Sequence, residues 1–452
     1  MAVALGGAPG GGGDKSLRMS LSDTLRLAWQ DADLQARLKF VLLVFAVYAL
    51  GVHVPVPVAG ISPDVLTSKL MENQFFVMLN TWGGGAFKRL SIFALGLNPY
   101  ITSSIILQVL TLANPAWKKE QQEGGEYARR QQNRRTRLLT VVLALFQGFG
   151  LLGMMATAAP EVNALNIGFK FSIVLFWLTG SMFLLWLGEQ ISERGIGNGV
   201  SLMIFAGIVI SLPNLMSLVW NGVQTGVIKW FQLILLAVVF LAVCYFIVYF
   251  TIAQRRIPIQ HMRRNYGTKS MGGQTSYLPI SVNMAGVIPV IFAIALVYMP
   301  STFAQATHSY PAVSEFFKTV SDFFSPDFSR WQGYVGILVY TILIFVFTYM
   351  WNAMTYNVED IADNLKRHGS YIPGIRPGKQ TKDFLDGVIS RVTFVGALFL
   401  AATALTSYLM PLIVRVPGLQ MIAGTSLLIM VSVALETMRQ IEANLLIKQY
   451  GE

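Results

Sequence analysis

Apolar runs of about 20 residues recur along the whole chain, separated by shorter polar stretches rich in Lys and Arg. A run of that length crosses a bilayer as a helix, and the pattern predicts ten of them. Five lie near 40–54, 91–112, 138–158, 171–188 and 200–219, and five near 229–253, 282–300, 333–353, 388–411 and 420–435. A split at about 221–226 leaves five spans on either side. Halves with an odd number of spans share a fold only if they are inserted in opposite senses, the inverted-repeat plan of many conduits. The expected domains are a tail and amphipathic helix (1–37), an N-terminal half (38–220), a C-terminal half (221–440) and a short tail (441–452).

The second apolar run is interrupted. A short piece, Phe75 to Leu79, is followed by Gly83-Gly84-Gly85 and by the cations Lys88 and Arg89. The run resumes at Ser91 and passes through Asn98-Pro99 to Leu112, which reads as a full span. Irregular backbone at membrane depth survives only where protein covers it or water reaches it. Broken helices of this kind mark the working cavity of transport proteins.

Composition fixes the class. The chain is 54% hydrophobic and 13% charged, which excludes a soluble domain of 452 residues. The net charge of +11 resides largely in one set of loops. These hold Lys118, Lys119, Arg129, Arg130, Arg134, Arg135 and Arg137, then Arg255, Arg256, Arg263, Arg264 and Lys269, then Lys366, Arg367, Arg376, Lys379 and Lys382. Positive loops stay in the cytoplasm, so both termini are expected there. The glycine-rich start, Met1 to Gly13, is expected to be disordered. Residues 16–39 read as an amphipathic helix on the cytoplasmic membrane surface. The lone Cys244 excludes an intrachain disulfide.

Enzyme signatures are missing. The four histidines are scattered, and no HExxH or GxSxG occurs. Residues 374–380 fall one short of a P-loop and carry Gln380 where Ser or Thr would hold magnesium. No catalytic residue, metal site or cofactor is expected. Acidic residues sit at span ends or in loops, as Glu189, Glu193, Glu359, Asp360 and Glu436 do. Ion-coupled carriers place such groups inside their spans. A secondary transporter for a small solute is therefore the alternative reading rather than the first.

Four segments carry a resemblance. Ser91 to Leu110 resembles, position by position, one signature of the SecY family, and Trp186 to Leu202 resembles the other. Asn283 to Pro289 and Pro373 to Gly378 agree with the same family, in its order and across both halves. The resemblance implies an all-α polytopic membrane protein with ten transmembrane helices in two inverted halves around an hourglass pore. Its activity would be passive conduction of unfolded secretory chains and lateral release of transmembrane segments. The driving partner would be the SecA motor ATPase or the translating ribosome. SecE and SecG would be companion subunits, signal sequences and lipids further contacts, and nucleic acid would be met only through ribosomal RNA.

The resemblance also assigns residues. An aliphatic pore ring would comprise Ile101, Ile105, Val200, Ile204, Ile291 and Ile429. The i, i+4 spacing of the first two pairs puts each pair on one helical face. Leu79, Asn80, Thr81, Trp82, Gly83, Gly84, Gly85, Ala86, Phe87, Lys88 and Arg89 would form a plug, a half-helix in the external funnel. A seam between spans two and three and spans seven and eight would pass apolar segments sideways. Asn98, Gln147 and Asn283 either hold that seam shut or make ordinary interhelical hydrogen bonds. Arg255, Arg256, Arg263, Arg264 and Arg376 would meet the motor or the ribosome, or the first four would only set topology.

Overall fold

The computed structural model describes residues 21–57, 74–158, 162, 166–261, 265–266, 269–270, 275–307, 311–326, 331–413 and 424–451. The N-terminal half holds α1 (Leu21–Gln30), α2 (Ala32–Val52), α3 (Gln74–Trp82), α4 (Asn98–Ala113), α5 (Pro115–Glu123), α6 (Gly125–Ala158), α7 (Ile167–Arg194) and α8 (Gly199–Gln224). The C-terminal half holds α9 (Trp230–Ile252), α10 (Ile288–Ala306), α11 (Pro311–Phe324), α12 (Trp331–Thr355), α13 (Val358–Arg367), α14 (Lys379–Ile413) and α15 (Thr425–Gly451). Five strands lie between them: β1 (Gln254–His261), β2 (Asn265–Tyr266), β3 (Lys269–Ser270), β4 (Thr275–Ser281) and β5 (Ser370–Tyr371).

Each of the ten apolar runs is met by one helix: α2, α4, α6, α7, α8, α9, α10, α12, α14 and α15. Among the described residues, seven helices are long and apolar enough to cross a membrane by length and composition. The other three are informative. Helix α4 has 16 residues, about 24 Å at 1.5 Å per residue, short of a hydrocarbon core of about 30 Å. The expected full span from Ser91 is thus corrected: 91–97 forms turns, and the helix starts at Asn98. Gly96 has φ +56°, a left-handed conformation, and Pro99 sits in the first helical turn, where its missing N–H costs nothing. Helix α10 likewise begins at Ile288 rather than 282, after Gly286 at φ +64° and with Pro289 in its first turn. Helix α15 carries Glu436 near its middle and Arg439, Glu442 and Lys448 in its second half.

One continuous apolar core joins these helices, with Trp177, Tyr340, Phe76, Phe87 and Phe93 fully buried within it. The outer faces are apolar too. Helix α9 exposes Phe231, Ile234, Val238, Leu241, Tyr245 and Tyr249 in a stripe at helical spacing. An apolar exterior over an apolar core is what lipid requires of a spanning helix.

The first and last described helices meet at one end of the bundle. Ala28 and Leu34 pack with Ile196, Ile441 and Leu445. Asp31 caps α2 by accepting from the Asp33 and Leu34 amides, and Lys448 Nζ donates to its carboxylate at 2.8 Å. Helix α1 is therefore docked on protein rather than only on a membrane surface. The expected tail at 441–452 is corrected as well: α15 continues through Gly451. The glycine-rich start lies outside the described residues.

The all-α expectation also needs an addition. Strands β4, β1 and β5 form a three-stranded antiparallel sheet, and β2 pairs with β3. The sheet fuses the loop after α9 to the loop before α14 over a small core of Ile257, Ile259, Ile280, Leu365, Ile372 and Leu385.

Candidate functional site

The six aliphatic positions all fall within the first eight residues of four helices. Ile101 and Ile105 are on α4, Val200 and Ile204 on α8, Ile291 on α10 and Ile429 on α15. Five are buried, Ile429 completely, and Val200 is half-buried against the same cluster. Ile101 and Ile204 line a cavity of about 20 Å³, room for a single water molecule.

The broken segment reaches that cavity. Leu79, Trp82 and Gly83 form part of its wall. The helical part, α3, ends at Trp82, so most of the eleven positions from Leu79 to Arg89 are turns that follow a helix rather than a helix themselves. Local hydrogen bonds shape the turns. The Gly85 amide donates to the Asn80 carbonyl at 2.7 Å, and the Lys88 amide donates to Asn80 Oδ1 at 2.8 Å. The Thr81 hydroxyl donates to the Val77 carbonyl at 2.8 Å. Gly84 and Gly85 have φ +68° and +86°, which only glycine adopts freely. Ala86 and Phe87 are buried, with Phe87 stacked on Phe76 at 5.0 Å, whereas Lys88 is exposed and Arg89 half-buried. The segment is docked on α8. A Cβ built on Gly207 would stand 1.9 Å from the Trp82 carbonyl oxygen, so only glycine permits this approach.

The interface of α4 and α6 with α10 is closed, the three helices packing directly on one another. Asn98 Nδ2 donates to Gln147 Oε1 at 3.5 Å, a long contact within one side of the interface. Both residues line a second cavity of about 20 Å³, whose far wall is Thr302 of α10. Asn283 is not brought to this cluster. It precedes α10, and neither its Oδ1 nor its Nδ2 has a partner. Sequence reasoning missed an aromatic contact across the interface: Phe146 of α6 against Phe303 of α10, ring centroids 5.3 Å apart.

The basic positions share the end of the bundle that carries the sheet. Arg255 and Arg256 are exposed on β1, and Arg263 and Arg264 lie outside the described residues. Arg376 is exposed on a turn between Gly374 at φ +82° and Gly378 at φ +105°. The buried Thr381 hydroxyl donates to the Arg376 carbonyl at 2.9 Å, and the Ile375 amide donates to the Ile372 carbonyl, so the turn is fixed from both sides. Arg137 reaches Glu189 through two hydrogen bonds, at 2.9 and 2.7 Å, tying α6 to α7. The sequence offered these as two unrelated charges.

Ten apolar helices among the described residues, with a broken segment folded into their midst, make this a multi-pass membrane protein. A solved structure described as that of a protein-conducting channel superposes with TM-score 0.66 at 19% identity, covering 91% of this chain and 93% of the other. Sec61 in the canine ribosome-channel complex from the endoplasmic reticulum superposes with TM-score 0.61 at 18% identity, over 91% and 93%. The SecY family profile matches residues 91–438, and the SecY translocase subunit of Pseudomonas aeruginosa is 39% identical over 93% of this chain and 92% of its own. The chain belongs to the SecY family. It is a translocon channel subunit and not an enzyme, and family membership sets aside the small-solute transporter.

Proposed function

We propose that the six aliphatic residues form a closed waist, with the segment from Leu79 to Arg89 as its plug and the α4/α6–α10 interface as its lateral door. The observation that carries this reading is the shared cavity, where ring residues Ile101 and Ile204 meet plug residues Leu79, Trp82 and Gly83. An aliphatic constriction excludes ions by dewetting and yields to a threading chain. Apolar segments leave sideways because lipid solvates them better, by about 0.3–0.6 kcal/mol per Leu, Ile, Phe or Val.

On this reading the basic end of the bundle is cytoplasmic, in keeping with the positive-inside rule, and so are both termini. The sheet and the Arg376 turn form one rigid cationic platform for SecA or for the ribosome, whose RNA phosphates make salt-sensitive partners. SecE and SecG complete the complex, in the inner membrane. The test replaces Cys244 and places a single cysteine at Ile105. A secretory chain stalled in transit cross-links there, and a cysteine at Leu241, on the exposed stripe of α9, stays silent. Equal labelling at both positions refutes the waist.

A further inference from the structure

A crevice of about 330 Å³ lies where α12 ends and α14 begins, lined by both helices and by the first residues of α13. None of the proposed waist residues lines it, and the function above does not use it. Its floor contains Asn352, only 4% exposed, whose Nδ2 donates to Thr393 Oγ1 at 2.8 Å. Asn352 Oδ1 is buried and has no partner. A buried acceptor left without a donor is costly, and native structures seldom keep one without cause.

The surroundings say what donor would serve. Lys382, Glu359 and Asp386 line the mouth. Lys382 Nζ is already bonded to Glu359 at 2.9 Å, so the mouth holds one ammonium, already paired, and two carboxylates. The balance invites a second cation that donates hydrogen bonds, while Lys382 keeps N–H groups for an anion. Tyr349 and Tyr356 also line it, and such aromatic residues are enriched at membrane interfaces. On the membrane side the surface turns apolar at once, through the exposed Ile342, Val346, Phe394 and Leu398. A ligand that fits is therefore zwitterionic at one end and aliphatic at the other.

We propose that this crevice binds the headgroup of phosphatidylethanolamine. Its phosphate pairs with Lys382, its primary ammonium bonds Asp386 and reaches towards Asn352 Oδ1, and its acyl chains lie along Val346 and Phe394. Phosphatidylcholine has the same charges but no N–H to donate, and phosphatidylglycerol has hydroxyls but no cation. The site thus discriminates by hydrogen-bond donors on the headgroup, with charge-assisted bonds at both ends.

The test uses the complete purified complex with phosphatidylethanolamine, phosphatidylcholine or phosphatidylglycerol of identical acyl chains, and counts retained lipids by native mass spectrometry. The unaltered protein retains phosphatidylethanolamine about tenfold more tightly than phosphatidylcholine, a difference of about 1.4 kcal/mol. Asp386→Asn, an exposed and conservative change, brings the two lipids within about twofold of each other. Lys382→Gln weakens both lipids together and leaves their ratio intact. Equal retention of the three lipids by the unaltered protein overturns the proposal, as does a preference that survives Asp386→Asn. A photoreactive residue in place of Tyr356 should capture lipid; capture of a polypeptide instead assigns the crevice to a protein partner and also overturns it.

Discussion

The broken segment meets the bundle backbone to backbone at Gly207, and Gly207→Ala tests whether that segment is a displaceable plug. The added Cβ would stand 1.9 Å from the Trp82 carbonyl oxygen and 2.8 Å from its carbon. An ordinary carbon–oxygen contact is about 3.3 Å, so the two backbones must part by about 1.4 Å. The obstacle is main chain on both sides, and no rotamer change relieves it. Overpacking of this kind costs about 1–3 kcal/mol. If displacement of the plug relieves that strain, the ratio of displaced to seated states rises by about 5- to 150-fold. The assay is ion conductance of idle complexes in planar bilayers, with the open fraction as readout. Gly153→Ala is the control: it also adds a methyl inside a long helix, α6, but meets nothing within 4 Å. It should leave the idle conductance unchanged. The reasoning is refuted if Gly207→Ala leaves the idle conductance at the control level while lowering the thermal stability of the complex. The strain would then be borne by the whole bundle rather than released at the plug.

Three further predictions rest on other contacts. Removing the aromatic pair across the interface, by Phe303→Leu, forfeits about 0.5–1.5 kcal/mol beyond area burial and shifts the interface towards open by roughly 2- to 13-fold. Export of a reporter with a defective signal sequence should rise accordingly, and Phe146→Leu added on top should contribute little more; full additivity would deny the pairing. Arg376→Glu should weaken a motor or ribosome contact by roughly 10- to 100-fold, the worth of one charge-assisted hydrogen bond. Partner binding read at several salt concentrations checks it, and unchanged affinity in a normally assembled complex removes the role. The clasp between the chain ends has a pH window. The hydrogen bond from Lys448 holds the Asp31 carboxyl below the usual carboxylate range, and the same bond holds the Lys448 ammonium above the usual lysine range. The depressed acid contributes above its unfolded value and loses that contribution as pH falls through the folded one. The raised base contributes below its unfolded value and loses it as pH rises through the folded one. Hydrogen-exchange protection of α1 should therefore stay flat across about pH 5–9 and fall outside it, and Lys448→Glu should lower it at neutral pH.

The apolar periodicity made the helices legible, because a spanning helix must be apolar over about 20 residues. The breaks were legible for the same reason: Gly83-Gly84-Gly85 and Asn98-Pro99 are costly in lipid, and they mark where the backbone leaves α3 and where it enters α4. The start of α4 was misplaced because Ser91 to Leu97 is as apolar as a span, and composition cannot tell a buried turn from a helix. The sheet was missed although its signal was present. Ile257 and Ile259 alternate with polar or exposed residues on β1, and Ile280 faces them from β4. Arginine density in that loop drew attention to charge instead. The Phe146–Phe303 pair and the clasp of Asp31 with Lys448, 417 residues apart, have no local signature at all. Long-range partners are chosen by the fold, and a single sequence does not list them.

The two small cavities bear on how the parts would act together. Leu79, Leu95 and Asn98 line both of them, the one shared with Ile101 and Ile204 and the one shared with Gln147 and Thr302. The end of α3 is thus wedged between the proposed waist and the proposed door, with no intervening layer. Close-packed interiors respond to a displaced wall by a discrete change of arrangement rather than by gradual softening. An apolar segment that parts α10 from α4 and α6 removes one wall of the pocket that holds Leu79. The plug then loses packing before any chain has reached it from the waist side. Coupling of this form needs no signal relayed along a path: the same side chain is counted in both contacts, so the door and the plug cannot be opened independently at full cost.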